Sequence, residues 1–105
     1  MGVKNISAIE LTESLKTEKV PIIDIRPPGE YNLGHIPGAI NIVLGELLGS
    51  PEKYIKPNKR YYIICEEGKK SIGLCYELGR MGYDVVNVLG GILAYRGPLN
   101  KNLNP

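Results

Sequence analysis

Three short apolar runs constrain what this chain can become. Val20-Pro21-Ile22-Ile23-Asp24-Ile25, Tyr61-Tyr62-Ile63-Ile64 and Val85-Val86-Asn87-Val88 are nearly continuous in apolar character. A strand that reads this way is buried on both faces, as in a parallel sheet covered by helices above and below. Pro21 marks the first residue of its strand, where a missing donor is tolerated. Ser7-Ala8-Ile9-Glu10 is a capping box, with Ser7 at N-cap and Glu10 at N3; it opens a short helix to about Lys16 with Ile9, Leu11 and Leu15 apolar. Ser71 to Met81 is the clearest helix, with Ile72, Cys75, Leu78 and Gly79 expected on its inner face and Gly82 as its stop. Strands alternating with helices predict an α/β domain built on a mainly parallel sheet.

The weaker segments fit between these. Pro27-Pro28-Gly29 breaks the chain, and Ala39-Ile40-Asn41-Ile42 reads as a further strand. Leu44 to Leu48 is a weak helical turn, and Pro51, capped by Ser50, starts another short helix to Ile55. Gly90-Gly91 begins a last short helix carrying Leu93 and Tyr95. The length of 105 residues suits one domain over 1–105, with its core at about 5–96 and a Pro/Asn-rich tail, 97–105, expected to pack loosely. The apolar runs fall far short of the ~20 residues that span a bilayer, and the first residues lack the apolar core of a signal peptide. A cytoplasmic protein without membrane contact is therefore expected. A net charge of +2 with scattered Lys and Arg gives no reason to expect nucleic acid. Two Cys ten positions apart and one His form neither a disulfide framework nor a metal-ligand pattern, so no metal is expected.

The chemistry points to Cys65. It closes the run Tyr61–Ile64 and starts the loop Cys65-Glu66-Glu67-Gly68-Lys69-Lys70, which leads at Ser71 into a helix. A buried strand, a Cys-led loop and a helix N-terminus make a cradle whose N–H groups and dipole favour a thiolate. In parallel sheets, ligands bind at the C-terminal ends of strands, which is where Cys65 sits. Cys75, mid-helix on the apolar face, reads as core filler. Glu66 and Glu67 oppose ionisation of the thiol and repel anions, while Lys69 and Lys70 offset them in count.

Two further stretches complete a family pattern. Asp24-Ile25-Arg26-Pro27-Pro28-Gly29-Glu30-Tyr31 is followed by Gly34-His35-Ile36-Pro37-Gly38-Ala39. With the Cys65 loop, Gly82-Tyr83-Asp84-Val85-Val86 and Gly90-Gly91-Ile92, these resemble, in order, the motifs of the rhodanese homology domain over about residues 5–96. The resemblance implies a five-stranded, mainly parallel sheet with helices on both faces. It also implies a sulfurtransferase whose Cys65 carries a persulfide and which needs no cofactor. The donor would be a small sulfur anion such as thiosulfate or a persulfide, and the acceptor cyanide, a thiol or a sulfur carrier. Glu66, Glu67, Gly68, Lys69, Lys70 and Ser71 would line the substrate site. Asp24, Arg26 and His35 would brace the supporting loop, with Asp24 and Arg26 as an ion pair. Lys70 stands where the family usually has Arg, so the charge survives but the planar fork does not. Tyr95 stands where many members have Trp. The alternatives are a non-catalytic module that relays sulfur or binds a partner, and a phosphatase or arsenate reductase on the same scaffold. The six-residue loop argues against the last, since the phosphatases of this fold carry one residue more.

Overall fold

A computed structural model describes residues 2–102; Met1 and residues 103–105, the outermost parts of the expected domain and its tail, lie outside the described residues. The elements in chain order are β1 (Lys4–Ser7), α1 (Ala8–Ser14), β2 (Ile22–Asp24), α2 (Pro28–Leu33), β3 (Ile40–Asn41) and α3 (Leu44–Gly49). A 3-10 turn (Pro51–Lys53) follows, then β4 (Arg60–Ile64), α4 (Lys70–Arg80), β5 (Asp84–Leu89) and α5 (Gly91–Ala94). The five strands form one sheet in the order β1-β5-β4-β2-β3, and every pairing is parallel.

The double-sided burial follows from the period of two along each strand. Ile23, Ile63, Cys65 and Val85 face one side, where Leu47 of α3 and Leu74, Cys75 and Leu78 of α4 cover them. Ile22, Ile64 and Val88 face the other, against Ala8 and Leu11 of α1, Ile36 and Tyr95. Because the strands run parallel, the segments leaving β2, β3, β4 and β5 emerge along one edge of the sheet. That edge holds the site.

The capping box forms as expected: Ser7 Oγ accepts from the Glu10 N–H at 3.0 Å and Glu10 Oε1 from the Ser7 N–H at 3.1 Å. Two elements were not legible as such. β1 is a polar, half-exposed edge strand of four residues, paired on one side only, so no apolar run marks it. α2 starts at Pro28, in the segment expected to be a break; a fixed proline φ suits the first helical turn, where no N–H is needed. The inner face of α4 also needs correction. It consists of Ser71, Leu74, Cys75 and Leu78, whereas Ile72 is 41% exposed. The true stripe starts one residue earlier, since Lys70 is already helical, and Ile72 sits about a quarter turn off it. The helix ends as Gly82 predicts, with the Tyr83 N–H reaching Leu78 O and the Gly82 N–H reaching Gly79 O. The tail is not loose through residue 102. Asn100 and His35 exchange two backbone hydrogen bonds at 2.8 and 2.9 Å, and the Asn102 N–H donates to Asn32 O at 2.8 Å.

Candidate active site

Cys65 is the first residue past β4 and is buried at the floor of an open cavity of about 580 Å³. The Gly68 N–H donates to its Sγ at 3.1 Å, and its thiol donates to Ser71 Oγ at 3.3 Å. Ser71 is fully buried in the first turn of α4, so the sulfur lies at the positive end of an eleven-residue helix. Of the loop N–H groups expected to converge on the sulfur, Gly68 alone is hydrogen-bonded to it among the described residues.

The loop is held from behind by α5. The Ile92 N–H donates to Cys65 O at 3.0 Å and the Leu93 N–H to Glu66 O at 3.1 Å. Two carbonyls are thereby drawn away from the sulfur, and Gly68 is free to turn its N–H onto Sγ. This contact explains the glycines on both sides. A Cβ on Gly91 would overlap the carbonyl oxygens of Cys65 and Glu66. One on Gly68, at φ +86°, would lie 2.8 Å from Gly90 N and 3.0 Å from Val88 O. Two carbonyls of the Cys65 loop are thus braced by the backbone of α5.

The wall opposite is a buried ion pair. Arg26 Nη2 donates to Asp24 Oδ2 at 2.8 Å and to Gly34 O at 2.7 Å, and Arg26 Nε reaches Asp24 Oδ1 at 3.0 Å. Burial disfavours the Arg26 charge, but Asp24, with help from Glu66 and Glu30, outweighs it and holds the guanidinium above its ordinary value. Asn41 fastens the same turn by donating to the backbone oxygens of Asp24 and Arg26, both at 2.9 Å. Val43, Leu44 and Ile25 add an apolar side to the cavity.

The charges at the mouth largely cancel. Glu66 lies 3.5 Å from Arg26 Nη1 and Glu67 3.8 Å from Lys69 Nζ. Lys70 faces the cavity from the first turn of α4 and is in no ion pair among the described residues. Cys75 is different in kind. Burial, with the neighbouring Cys65, pushes its thiol up to about 12, so it stays protonated and unreactive at neutral pH.

A family model of the rhodanese-like domain matches residues 7–97. This chain belongs to the rhodanese-like family. It is 36% identical to the Bacillus subtilis protein YtwF over 92% of this chain and 94% of that one. It is 32% identical to the thiosulfate sulfurtransferase GlpE of Pseudoalteromonas translucida, over 98% of both. Among solved structures, a rhodanese-like domain protein from Staphylococcus aureus matches with a TM-score of 0.81 at 33% identity, over 90% of this chain and 93% of that one.

Within this rhodanese-like chain the expected residues divide into groups. Cys65, Glu66, Glu67, Lys69, Lys70 and Arg26 line one cavity, with Gly68 and Ser71 against the sulfur beneath. Asp24 stands behind Arg26 and does not line the cavity. His35 is set apart: its ring stacks on Tyr31 at 3.9 Å, its Nδ1 lies 3.0 Å from Tyr31 O, and its backbone pairs with Asn100. It braces the stretch that offers Gly34 O to Arg26. One residue of the site was missed. Asn87 is fully buried in β5 and accepts a hydrogen bond from the Ser71 hydroxyl. The available signal was a lone amide inside an apolar strand, which is costly unless it has partners.

Proposed function

We propose that the protein is a sulfurtransferase that moves a sulfane sulfur through a persulfide on Cys65. The Cys65 thiolate attacks the outer sulfur of a donor such as thiosulfate, the donor's S–S bond breaks, and sulfite leaves with the electron pair. An acceptor nucleophile, cyanide or a thiol, then attacks the outer sulfur of the persulfide and Cys65 departs as thiolate. The balance closes with no external oxidant, reductant or metal. The observation that carries this reading is the sulfur's setting: buried at the floor of an open cavity, at the head of α4, with the Gly68 N–H on it. Such a setting stabilises negative charge on sulfur in both half-reactions. The reaction is proposed for the cytoplasm, where a reducing pool keeps both cysteines as free thiols and supplies acceptors.

A second reading concerns the donor. The pairing of Arg26 with Glu66 and of Lys69 with Glu67 leaves little net positive charge for a dianion. The cavity is larger than thiosulfate and has an apolar side. Both features favour a persulfide donor, small or protein-borne, over thiosulfate.

Thiosulfate:cyanide turnover tests the nucleophile and the order of steps. Double displacement gives parallel lines in double-reciprocal plots at varied acceptor concentration. Cys65→Ser is expected to abolish turnover in a folded protein, and Cys75→Ser to retain it at a stability cost of about 1–3 kcal/mol. Activity retained by Cys65→Ser and lost by a folded Cys75→Ser would reverse the assignment.

A further inference from the structure

A line of polar side chains crosses the α4 face of the sheet from its outer edge to the sulfur. β1 and β5 pair in a register that sets Asn5 beside Asn87. Asn5 Nδ2 donates to Val3 O at 3.1 Å, which turns Asn5 Oδ1 toward Asn87. Asn87 Nδ2 donates to that oxygen at 3.0 Å, which turns Asn87 Oδ1 toward Ser71. The Ser71 hydroxyl spends its one proton on Asn87 Oδ1, so its lone pair is what meets the Cys65 thiol. Each link fixes the sense of the next, and the arrangement as it stands suits a protonated sulfur. Once the proton leaves, the same lone pair faces an anion.

We propose that Asn5, Asn87 and Ser71 form a relay whose donor–acceptor sense inverts when Cys65 ionises, so that an exposed residue on the edge strand helps set how readily the thiolate forms. In the inverted sense Asn5 Nδ2 donates to Asn87 Oδ1, Asn87 Nδ2 to Ser71 Oγ, and the Ser71 hydroxyl to the thiolate. The S–H bond breaks to water in the open cavity; no proton passes along the relay, and only one hydroxyl and two amides turn. Inversion leaves no buried amide unpaired, because the bond given up, Asn5 to Val3 O, lies where water replaces it. The same inverted sense serves a persulfide, whose inner sulfur carries no proton, and the departing thiolate of the second half-reaction. Asn87 and Asn5 are positioning residues: they act on the sulfur through Ser71.

Other groups also face the sulfur or its cavity. They are Glu66, Glu67 and Lys69 from the loop, Lys70 and Cys75 from α4, and Arg26 and Glu30 from the segment after β2. The test must therefore separate the relay from simple charge. Asn5→Asp is nearly isosteric, sits on the exposed edge, and can only accept, so it locks the relay in the sense that suits the thiol. The probe is iodoacetamide alkylation of Cys65, followed by mass spectrometry from pH 5 to 10. The expected result is a half-maximal rate moved to higher pH, with alkylation at neutral pH about three- to tenfold slower, the worth of one hydrogen bond. In an Asn87→Val background the relay is cut, and the same Asn5→Asp change should then have little effect. Ser71→Ala cuts it at another link and serves if Asn87→Val does not fold. No shift in the intact relay, or an equal shift in the cut backgrounds, would overturn the proposal. Alkylation needs only a reactive Cys65, so a failure of the relay is distinguishable from a failure of the sulfurtransferase reading on which its use in catalysis rests.

Discussion

Lys70 is where this chain departs most plainly from its family pattern, and its position limits what it can do. It projects a single flexible charge from the first turn of α4 toward a cavity in which Arg26 is already committed to Asp24, Gly34 and Glu66. If thiosulfate is the donor, Lys70→Arg supplies a planar fork and is expected to lower its KM, with a smaller effect on the cyanide step. Glu66→Gln is expected to act in the same direction, by removing repulsion and releasing Arg26 Nη1, most clearly at low ionic strength. Steady-state kinetics on both variants decides this; an unchanged or raised KM in both would count against thiosulfate and strengthen the case for a persulfide donor. Cys75 gives a prediction of another kind. Its folded-state value of about 12 lies above the roughly 8.5 of a free thiol, so between those limits the folded protein binds more protons than the unfolded chain. The stability this contributes is fully present below about pH 8.5 and is lost as pH rises toward 12. The tyrosine hydroxyls of Tyr31 and Tyr95, both raised chiefly by burial, add a loss of the same sign at higher pH. Thermal unfolding between pH 8 and 11 should therefore fall less steeply in Cys75→Val than in the parent, and parallel slopes would contradict the assignment.

Between elements, the decisive contact is that of the Cys65 loop with the start of α5. Gly91→Ala is expected to displace the loop carbonyls, cost about 2 kcal/mol or more, and reduce turnover along with stability, because the Cβ has no room against backbone. Gly73, on the exposed side of α4 with nothing within 4 Å of its Cβ position, is the control: Gly73→Ala should stabilise by about 1 kcal/mol with turnover unchanged. Chemical denaturation with parallel kinetics tests both. This contact also shows how far the sequence could be read. Buried strands announce themselves by apolar runs, so β2, β4 and β5 were legible, as was the helix that follows Cys65. β1 was not, because an edge strand with polar side chains carries no such run. α2 was not, because Pro-Pro-Gly reads as a break until one sees Pro28 at the first helical position. The Gly90-Gly91 pair was legible as a turn, but not as the surface that shapes the loop, since that role depends on a crossing of chain segments some 25 residues apart.

For the molecule as a whole, an all-parallel sheet gathers the ends of four strands along one edge, and the site combines what each end delivers. β4 brings the sulfur, β2 the buried Asp24–Arg26 pair, β3 the apolar side of the cavity, and β5 both the glycine turn and Asn87. The motif residues singled out Cys65 and its loop as the candidate site from sequence alone, because the setting of a Cys between a buried strand and a helix is local. They did not identify Asn87, because its meaning lies in the register of β5 against β1 and in the helix packed above. Cys65 is proposed to accept and hold a sulfane sulfur, and intact-mass spectrometry of the protein after incubation with a sulfane-sulfur donor reads that step without any coupled assay. The donor is thiosulfate in one arm and a small-molecule persulfide in the other. The expected result is a gain of one sulfur atom, located on Cys65 by peptide mapping, reversed by cyanide and absent from Cys65→Ser. An unchanged mass with both donors, or a sulfur adduct that persists in Cys65→Ser, would contradict it.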